Sequence, residues 1–126
     1  MGIAYRSSLT HCILITDSIE LSGLPDGIFP GHAQIPFSQL KEGNKVTIEN
    51  TTTLIGTCIG LDECVKNLMA WAEIPVQEAV RCVTENVADA MGLMDRGKLE
   101  VRRRGDFVVL GADGTVKETW ILGKKI

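Results

Sequence analysis

The stretch CILITDS, residues 12–18, decides the fold, because four consecutive apolar residues end abruptly in polar ones. A short uninterrupted apolar run is typical of a strand that is buried on both faces of a parallel sheet. The pattern therefore predicts a strand from Cys12 to Thr16 and places Asp17 at its carboxyl end. Asp17 then has two interpretations, a proton-transferring carboxylate or a turn cap, and its position alone favours the cap.

The residues after Asp17 predict a loop that carries a small hairpin. Ser22–Gly31 is dense in glycine and proline, which punctuate a chain rather than extend it. Lys45–Glu49 alternates polar and apolar residues with a period of two, so we expect a half-exposed strand there. Its predicted partner is the stretch Ala33–Phe37.

Two helices and an antiparallel meander are predicted for the rest of the chain. Apolar residues recur at helical spacing from about Leu61 to Glu73, and Pro75 suits the start of a second helix that ends at Gly92. The predicted strands are Leu99–Val101, Phe107–Leu110 and Val116–Leu122, with a turn at Asp113-Gly114 between the last two. The buried strand has no parallel neighbour in this sequence, so we expect that its edges need a partner.

Composition narrows the class of protein and its partners. The chain has 126 residues, of which 44% are hydrophobic and 23% charged, as expected of a globular domain. No apolar run approaches the roughly 18 residues of a membrane helix, and the first ten residues lack the apolar centre of a secretory leader, so we expect a cytoplasmic protein. The net charge of −3 argues against nucleic acid, and the one basic run, Arg102–Arg104, has no interleaved aromatic residues.

The cysteines and histidines do not have the spacing of a metal site. No two cysteines form a C-x-x-C pair, and only two histidines are present, so we expect buried thiols and no metal held by this chain alone. The residues concerned are Cys12, Cys58, Cys64, Cys82, His11 and His32. Trp71 and Trp120 are predicted to be core or half-buried packing residues rather than a platform for stacking a sugar.

Several stretches carry a resemblance to a known family. They are Ile15-Thr16-Asp17-Ser18, Gly23-Leu24-Pro25-Asp26-Gly27, Leu54-Ile55-Gly56-Thr57, the helical LDECVKNL at 61–68, IPVQEAVR at 74–81, Gly97-Lys98-Leu99 and DFVVL at 106–110. Together they resemble the carboxy-terminal part of N-acetylglucosamine-6-phosphate deacetylases, in the amidohydrolase superfamily. The resemblance covers residues 13–126, and the stretch at 61–68 is its most specific part.

The resemblance implies an α/β fold that is the carboxy-terminal fragment of a metal-dependent hydrolase TIM barrel. Residues 1–95 then supply the last barrel strand, a hairpin insert and two helices, and residues 96–126 supply strands of a small β-sandwich domain. A TIM barrel typically takes about 250 residues, so this chain cannot close one alone.

The resemblance also implies a chemistry, the hydrolysis of N-acetyl-D-glucosamine 6-phosphate to glucosamine 6-phosphate and acetate. A divalent, zinc-type metal ion is held by a glutamate and two histidines from earlier strands, and neither His11 nor His32 matches those positions. Asp17 takes the catalytic position, accepting a proton from the metal-bound water and passing it to the departing amine. Leu54, Ile55 and Gly56 lie against the amino sugar through backbone groups. Full-length members of the family form homo-oligomers, with a dimer expected.

Departures from the family pattern leave other interpretations open. Ile55 replaces a small residue, Val87 replaces a proline and Gly105 replaces an alanine. Residues 54–56 can equally be an ordinary connection from a strand to a helix. The chain as a whole can be a truncated, non-catalytic homologue whose exposed strand edges recruit a partner, including the missing half, or part of an amidohydrolase that acts on a cyclic amide.

Overall fold

The computed structural model describes residues 2–126, which form a mixed architecture of helices and two antiparallel sheets. The helices are α1 (Gly2–Ser7), α2 (Leu61–Ala72), α3 (Val76–Ala79) and α4 (Glu85–Ala90), with a 3-10 turn at Val80–Val83. The first sheet has the order β1 (Gly27–Phe29), β2 (Gln39–Glu42), β3 (Lys45–Ile48) and β4 (Leu54–Thr57). The second has the order β5 (Phe107–Leu110), β6 (Val116–Ile121) and β7 (Lys124–Lys125). The predicted α/β class is confirmed.

The chain divides into two compact units. One comprises the residues up to 15 together with 61–126, and the other comprises residues 16–60. The division into barrel and sandwich parts near residue 95 stays a prediction. No helix within residues 2–126 is both long and apolar enough to cross a membrane.

The core of the larger unit is built around α2, which forms where its apolar periodicity predicts it. Asp62 and Glu63 lie in the first turn, where their negative charges stabilise the helix dipole. Val65 and Leu68 are buried, and the helix ends at Ala72, because the next residue, Glu73, has a φ of +56° that a right-handed helix cannot continue. The buried cluster consists of Tyr5, Val65, Leu68, Ala72, Ala79 and Cys82.

The second predicted helix is interrupted, so the expectation of one continuous helix from Pro75 to Gly92 was wrong. The chain forms α3, then the 3-10 turn, and then breaks at Thr84, whose backbone angles are φ −130° and ψ −85°. The hydroxyl of Thr84 donates a hydrogen bond to the carbonyl of Val80 at 2.8 Å. A high density of β-branched residues weakens the helix here, because their side chains lose rotamer freedom against the preceding turn.

The predicted buried strand Cys12–Thr16 does not form, which is a second correction. Burial alternates along this segment, and Ile13 and Ile15 remain 41% and 75% exposed. The nearest regular pairing is a single parallel bridge between Ser18 and Thr57. A strand forms only where a neighbouring strand supplies a ladder of hydrogen bonds, and no strand within residues 2–126 pairs with residues 12–16.

The hairpin pairs differently from the prediction. β3 pairs with β2 and β4 rather than with Ala33–Phe37, which contains Pro36 and therefore lacks a ladder donor. Part of the predicted loop Ser22–Gly31 forms β1. Leu99–Val101 is not a strand, because the chain turns at Arg102, where φ is +74°.

The last two predicted strands form as β5 and β6, joined by the predicted turn and followed by the unpredicted β7, and Trp120 is half-buried as predicted. Its ring stacks on Phe107 with centroids 5.4 Å apart, across the paired strands β5 and β6. Trp71 contradicts the prediction, since 55% of it is exposed. Cys64 and Cys82 are buried as expected, whereas Cys12 and Cys58 are only partly buried.

Asn86 on α4 anchors the extended segment that follows α1. Its side-chain amide donates hydrogen bonds to the carbonyl oxygens of Leu9 at 2.9 Å and Cys12 at 2.8 Å. Only 3% of Asn86 is exposed, so its amide is shielded from water, whereas the acceptor residue Leu9 is 52% exposed. The backbone N–H of Leu14 donates to the carbonyl of Cys82 at 3.0 Å, so the same extended segment is also attached to the 3-10 turn.

We predict that Asn86→Ala lowers the free energy of unfolding by about 1 to 2 kcal/mol, because it removes a buried donor from two carbonyl acceptors that are only partly shielded from water. The measurement is urea unfolding followed by circular dichroism. Asp89→Ala, an exposed change on the same helix, serves as the matched control and is expected to have little effect. Equal stability of the two variants would contradict the anchoring role.

Candidate functional site

Two segments that are about 40 residues apart in sequence lie side by side at the candidate site. Ser18 forms a parallel bridge with Thr57, the N–H of Ile19 donates to the carbonyl of Thr57 at 3.0 Å, and the N–H of Thr57 donates to the carbonyl of Asp17 at 3.1 Å. The structure therefore brings Asp17 next to β4, the strand that carries Leu54, Ile55 and Gly56. This pairing lies entirely within residues 16–60.

Threonine side chains complete the pairing. The hydroxyl of Thr57 donates to the carbonyl of Thr16, and the hydroxyl of Thr16 accepts a hydrogen bond from the N–H of Ser18 at 3.2 Å. Neither threonine has a predicted role in the sequence. Thr57 is the last residue of the recognised Leu54–Thr57 stretch, and its place in that stretch is the one feature of the sequence that could have indicated a role for it.

Asp17 has an unusual backbone conformation and an unengaged carboxylate. Its φ is +51°, in the left-handed region that aspartate tolerates better than most residues. The residue is exposed, and among residues 2–126 no donor is hydrogen-bonded to its carboxylate. The turn-cap interpretation therefore lacks its hydrogen bond, since the local side-chain contact to the backbone comes from Thr16. A residue held in a sparsely populated conformation is a candidate for function.

Gly56 is required by packing against the neighbouring segment. A Cβ atom at this position would lie 2.6 Å from Cγ2 of Ile19 and 3.3 Å from the carbonyl oxygen of Asp17. The resemblance implies that the backbone of Gly56 lies against the amino sugar, and the structure provides a separate reason for a glycine at this position. The close approach at Gly56 is between two parts of the chain itself.

Leu54 and Ile55 differ in their surroundings. Leu54 is 57% exposed, so its side chain is available to a ligand. Ile55 is half-buried and has no partner in the register of β3 and β4, where Lys45 faces Thr57 and Thr47 faces Leu54. Ile55 is thus the extra residue of a bulge, a feature that is enriched beside active sites.

An ion pair between buried Lys41 and exposed Asp26 stabilises the loop that contains the recognised Gly23–Gly27 stretch. Lys41 Nζ donates to Asp26 Oδ1 at 3.1 Å and to the carbonyl of Gly43 at 3.0 Å, and the N–H of Gly43 donates to the same carboxylate oxygen at 2.9 Å. The hydrogen bond from Lys41, with that from Gly43, holds the pKa of Asp26 below its ordinary value. Asp26 is therefore a structural carboxylate, in contrast to Asp17.

The chain's own residues do not fit the divalent metal ion that the resemblance implies. Among residues 2–126 no three His, Cys, Asp or Glu side chains converge as a metal-binding group. The Nδ1 atom of His11 contacts the hydroxyls of Ser8 and Thr10, and Nε2 of His32 lies 3.4 Å from a carboxylate oxygen of Glu20. Both histidines are thus engaged locally and without a shared site.

Comparison with known proteins gives a consistent set of relatives, although no family model matches the chain. The curated relatives include proteins from Caenorhabditis elegans, 30% identical over 127 residues, and Danio rerio, 32% identical over 128 residues. Each alignment covers 100% of this chain, and both relatives are named N-acetylglucosamine-6-phosphate deacetylase. This chain is homologous to the carboxy-terminal part of these deacetylases. The recognition made from the sequence is confirmed.

Solved structures of deacetylases contain the same arrangement. The crystal structure of the Thermotoga maritima deacetylase matches with a TM-score of 0.84 and 26% identity, over 98% of this chain and 33% of that one. The Pasteurella multocida deacetylase matches in fold with a TM-score of 0.86, at 22% identity. The chain spans about a third of the length of the deacetylases it matches.

Gly56→Ala is predicted to destabilise the chain by roughly 2 kcal/mol, because the new methyl group overlaps Ile19. The test is a double-mutant cycle measured by denaturant unfolding. Ile19→Ala removes the overlapping methyl, so Gly56→Ala should cost less in that background. Strict additivity of the two changes would show that the contact does not constrain Gly56.

Proposed function

We propose that this chain carries the Asp17-containing, carboxy-terminal part of the active site of an N-acetylglucosamine-6-phosphate deacetylase. The reaction is hydrolysis of N-acetyl-D-glucosamine 6-phosphate to glucosamine 6-phosphate and acetate. The observation that supports it best is the pairing that holds Asp17, with an unengaged carboxylate, beside Leu54–Gly56. Similarity to deacetylases over the whole chain supplies the substrate class.

Asp17 is the proposed proton carrier of the reaction. Hydrolysis of an amide needs a group that removes a proton from the attacking water and then delivers one to the departing nitrogen. The carboxylate of Asp17 has its oxygens free to accept such a proton, and the left-handed turn fixes the backbone that presents it. Exposed Leu54 and the backbone of residues 54–56 are the proposed contacts to the amino sugar.

The complete site requires groups that residues 2–126 do not contain. A divalent ion, when bound, would polarise the amide carbonyl, but no ligand set for one converges in this part of the chain. We assign those ligands to protein corresponding to the remaining two-thirds of the relatives. We propose a cytoplasmic location from the composition of the sequence, and assembly into a homo-oligomer from the resemblance.

A second candidate function is that of a non-catalytic chain that pairs with a partner. It is favoured by the exposed side chains of Ile13 and Ile15, whose N–H groups have no hydrogen-bond acceptor among residues 2–126. Unpaired backbone in an extended segment is a template for addition of a strand. The partner of matching chemistry is the amino-terminal two-thirds of a deacetylase, supplied as a separate chain.

The 126-residue chain alone is predicted to release no acetate from N-acetyl-D-glucosamine 6-phosphate, because one carboxylate without metal ligands cannot activate water sufficiently at neutral pH. The assay compares the chain with a buffer blank, with and without added zinc. Turnover above the blank would overturn this expectation. Adding the amino-terminal two-thirds of the Danio rerio deacetylase separates the two candidate functions, since binding without turnover supports the non-catalytic one.

When this chain is joined to those amino-terminal two-thirds, Asp17→Asn is expected to lower kcat by about 10²- to 10⁴-fold through loss of proton transfer. Its thermal midpoint should hardly change, because asparagine also tolerates the left-handed region and the carboxylate accepts no hydrogen bond to be lost. Asp17→Ala should lower both quantities. If Asp17→Asn kept more than about a tenth of kcat, Asp17 would have no part in the reaction.

Asp26→Asn is the matched control in the same joined protein. It makes the same chemical change but weakens the ion pair with buried Lys41. The expected pattern is the reverse of that for Asp17→Asn, with a lower thermal midpoint and a kcat close to that of the parent protein.

A further inference from the structure

Cys12 and Cys82 lie together although 70 residues separate them in sequence. Cys12 packs against the buried cluster that contains Cys82. Two hydrogen bonds fix the backbones on either side of the pair. The N–H of Leu14 donates to the carbonyl of Cys82 at 3.0 Å, and Asn86 donates to the carbonyl of Cys12 at 2.8 Å.

The thiols of the two residues also interact. Burial, followed by the charge and hydrogen bond of the Cys12 thiol, raises the pKa of the Cys82 thiol to about 11. The thiols differ in access to solvent, because Cys82 is fully buried and Cys12 is only partly so. A small reagent in solution therefore reaches Cys12 first.

We propose that Cys12 and Cys82 are a site of intramolecular disulfide formation, with a low-molecular-weight disulfide such as oxidised glutathione as the oxidant. The thiolate of Cys12 attacks one sulfur of the oxidant, so the sulfur–sulfur bond of the oxidant breaks, one half leaves as a thiolate, and the other half stays bonded to Cys12 as a mixed disulfide. The thiolate of Cys82 then attacks the sulfur of Cys12 and displaces the second thiol. The two protons lost by the cysteines are taken up by the two released thiolates, so the oxidant is reduced to two thiols and no net proton is released.

The two remaining cysteines are not placed for this reaction. The thiol of Cys64 donates to the carbonyl of Ile15 at 3.7 Å, and burial raises its pKa. Cys58 belongs to the other compact unit and has its N–H bonded to the carbonyl of Asn44 at 3.1 Å. The geometry thus selects one of the six pairs that four cysteines can form.

The folded structure favours a different pair of cysteines for disulfide formation from the pair that an unfolded chain favours. Cys58 and Cys64 are only six residues apart, so loop-closure entropy alone favours that pair over Cys12–Cys82 by roughly 40-fold. Dominance of Cys12–Cys82 under native conditions therefore reports the folded arrangement and not chance collision.

The test incubates the 126-residue chain with oxidised glutathione in native buffer for hours, since the raised pKa of Cys82 slows the second step. Free thiols are then alkylated, and the disulfide-linked peptides are identified by mass spectrometry. The expected result is a cross-link between Cys12 and Cys82, with Cys58 and Cys64 alkylated. A parallel sample in guanidinium should shift to Cys58–Cys64.

Variants and thermal melting complete the test. Cys12→Ala and Cys82→Ala should each abolish the cross-link, whereas the control Cys58→Ala should retain it. The oxidised chain should melt several degrees higher than the reduced one, because a cross-link over a 70-residue separation restricts the unfolded state. A native sample that yields mainly Cys58–Cys64, a mixture of pairs or no cross-link overturns the proposal, whichever variants fold.

Discussion

The parallel pairing of residues 17–19 with Thr57 is the contact on which the candidate site depends. Two backbone hydrogen bonds and the hydroxyl of Thr57 hold the two segments in register. The pairing fixes the turn at Asp17, and it also accounts for Gly56, because any side chain there would overlap Ile19. The site residues are thus positioned by local backbone contacts rather than by the metal centre of a complete enzyme.

The sequence predicted those elements whose causes are local. The helix Leu61–Ala72 follows from apolar spacing and acidic residues in its first turn, and the meander follows from alternation around a glycine turn. The sequence of Cys12–Thr16 predicts a buried strand because its composition suits a sheet with neighbours on both sides. That composition describes the surroundings expected from the deacetylase resemblance, and residues 2–126 do not reproduce them.

Only some residues of the candidate site could be predicted from the sequence. The recognised stretches located Asp17 and Leu54–Gly56, but no periodicity connects residue 17 with residue 57. The supporting hydroxyls of Thr16 and Thr57 act through backbone carbonyl and N–H groups, which leave little trace in residue patterns. The break at Thr84 depends on a side-chain hydrogen bond to the preceding turn, so apolar spacing predicted the position of the helical region but not its continuity.

The edges of the β structure differ in their protection against aggregation. The outer strand β7 consists of Lys124 and Lys125, whose exposed charges repel a second sheet edge. The extended segment with Ile13 and Ile15 has exposed β-branched side chains and no charged residue from Cys12 to Thr16. Self-association of the chain through this segment would compete with the binding of a partner. The extent of self-association rises with the concentration of the chain. Where such a partner is in excess, its binding is therefore expected to limit self-association through this segment.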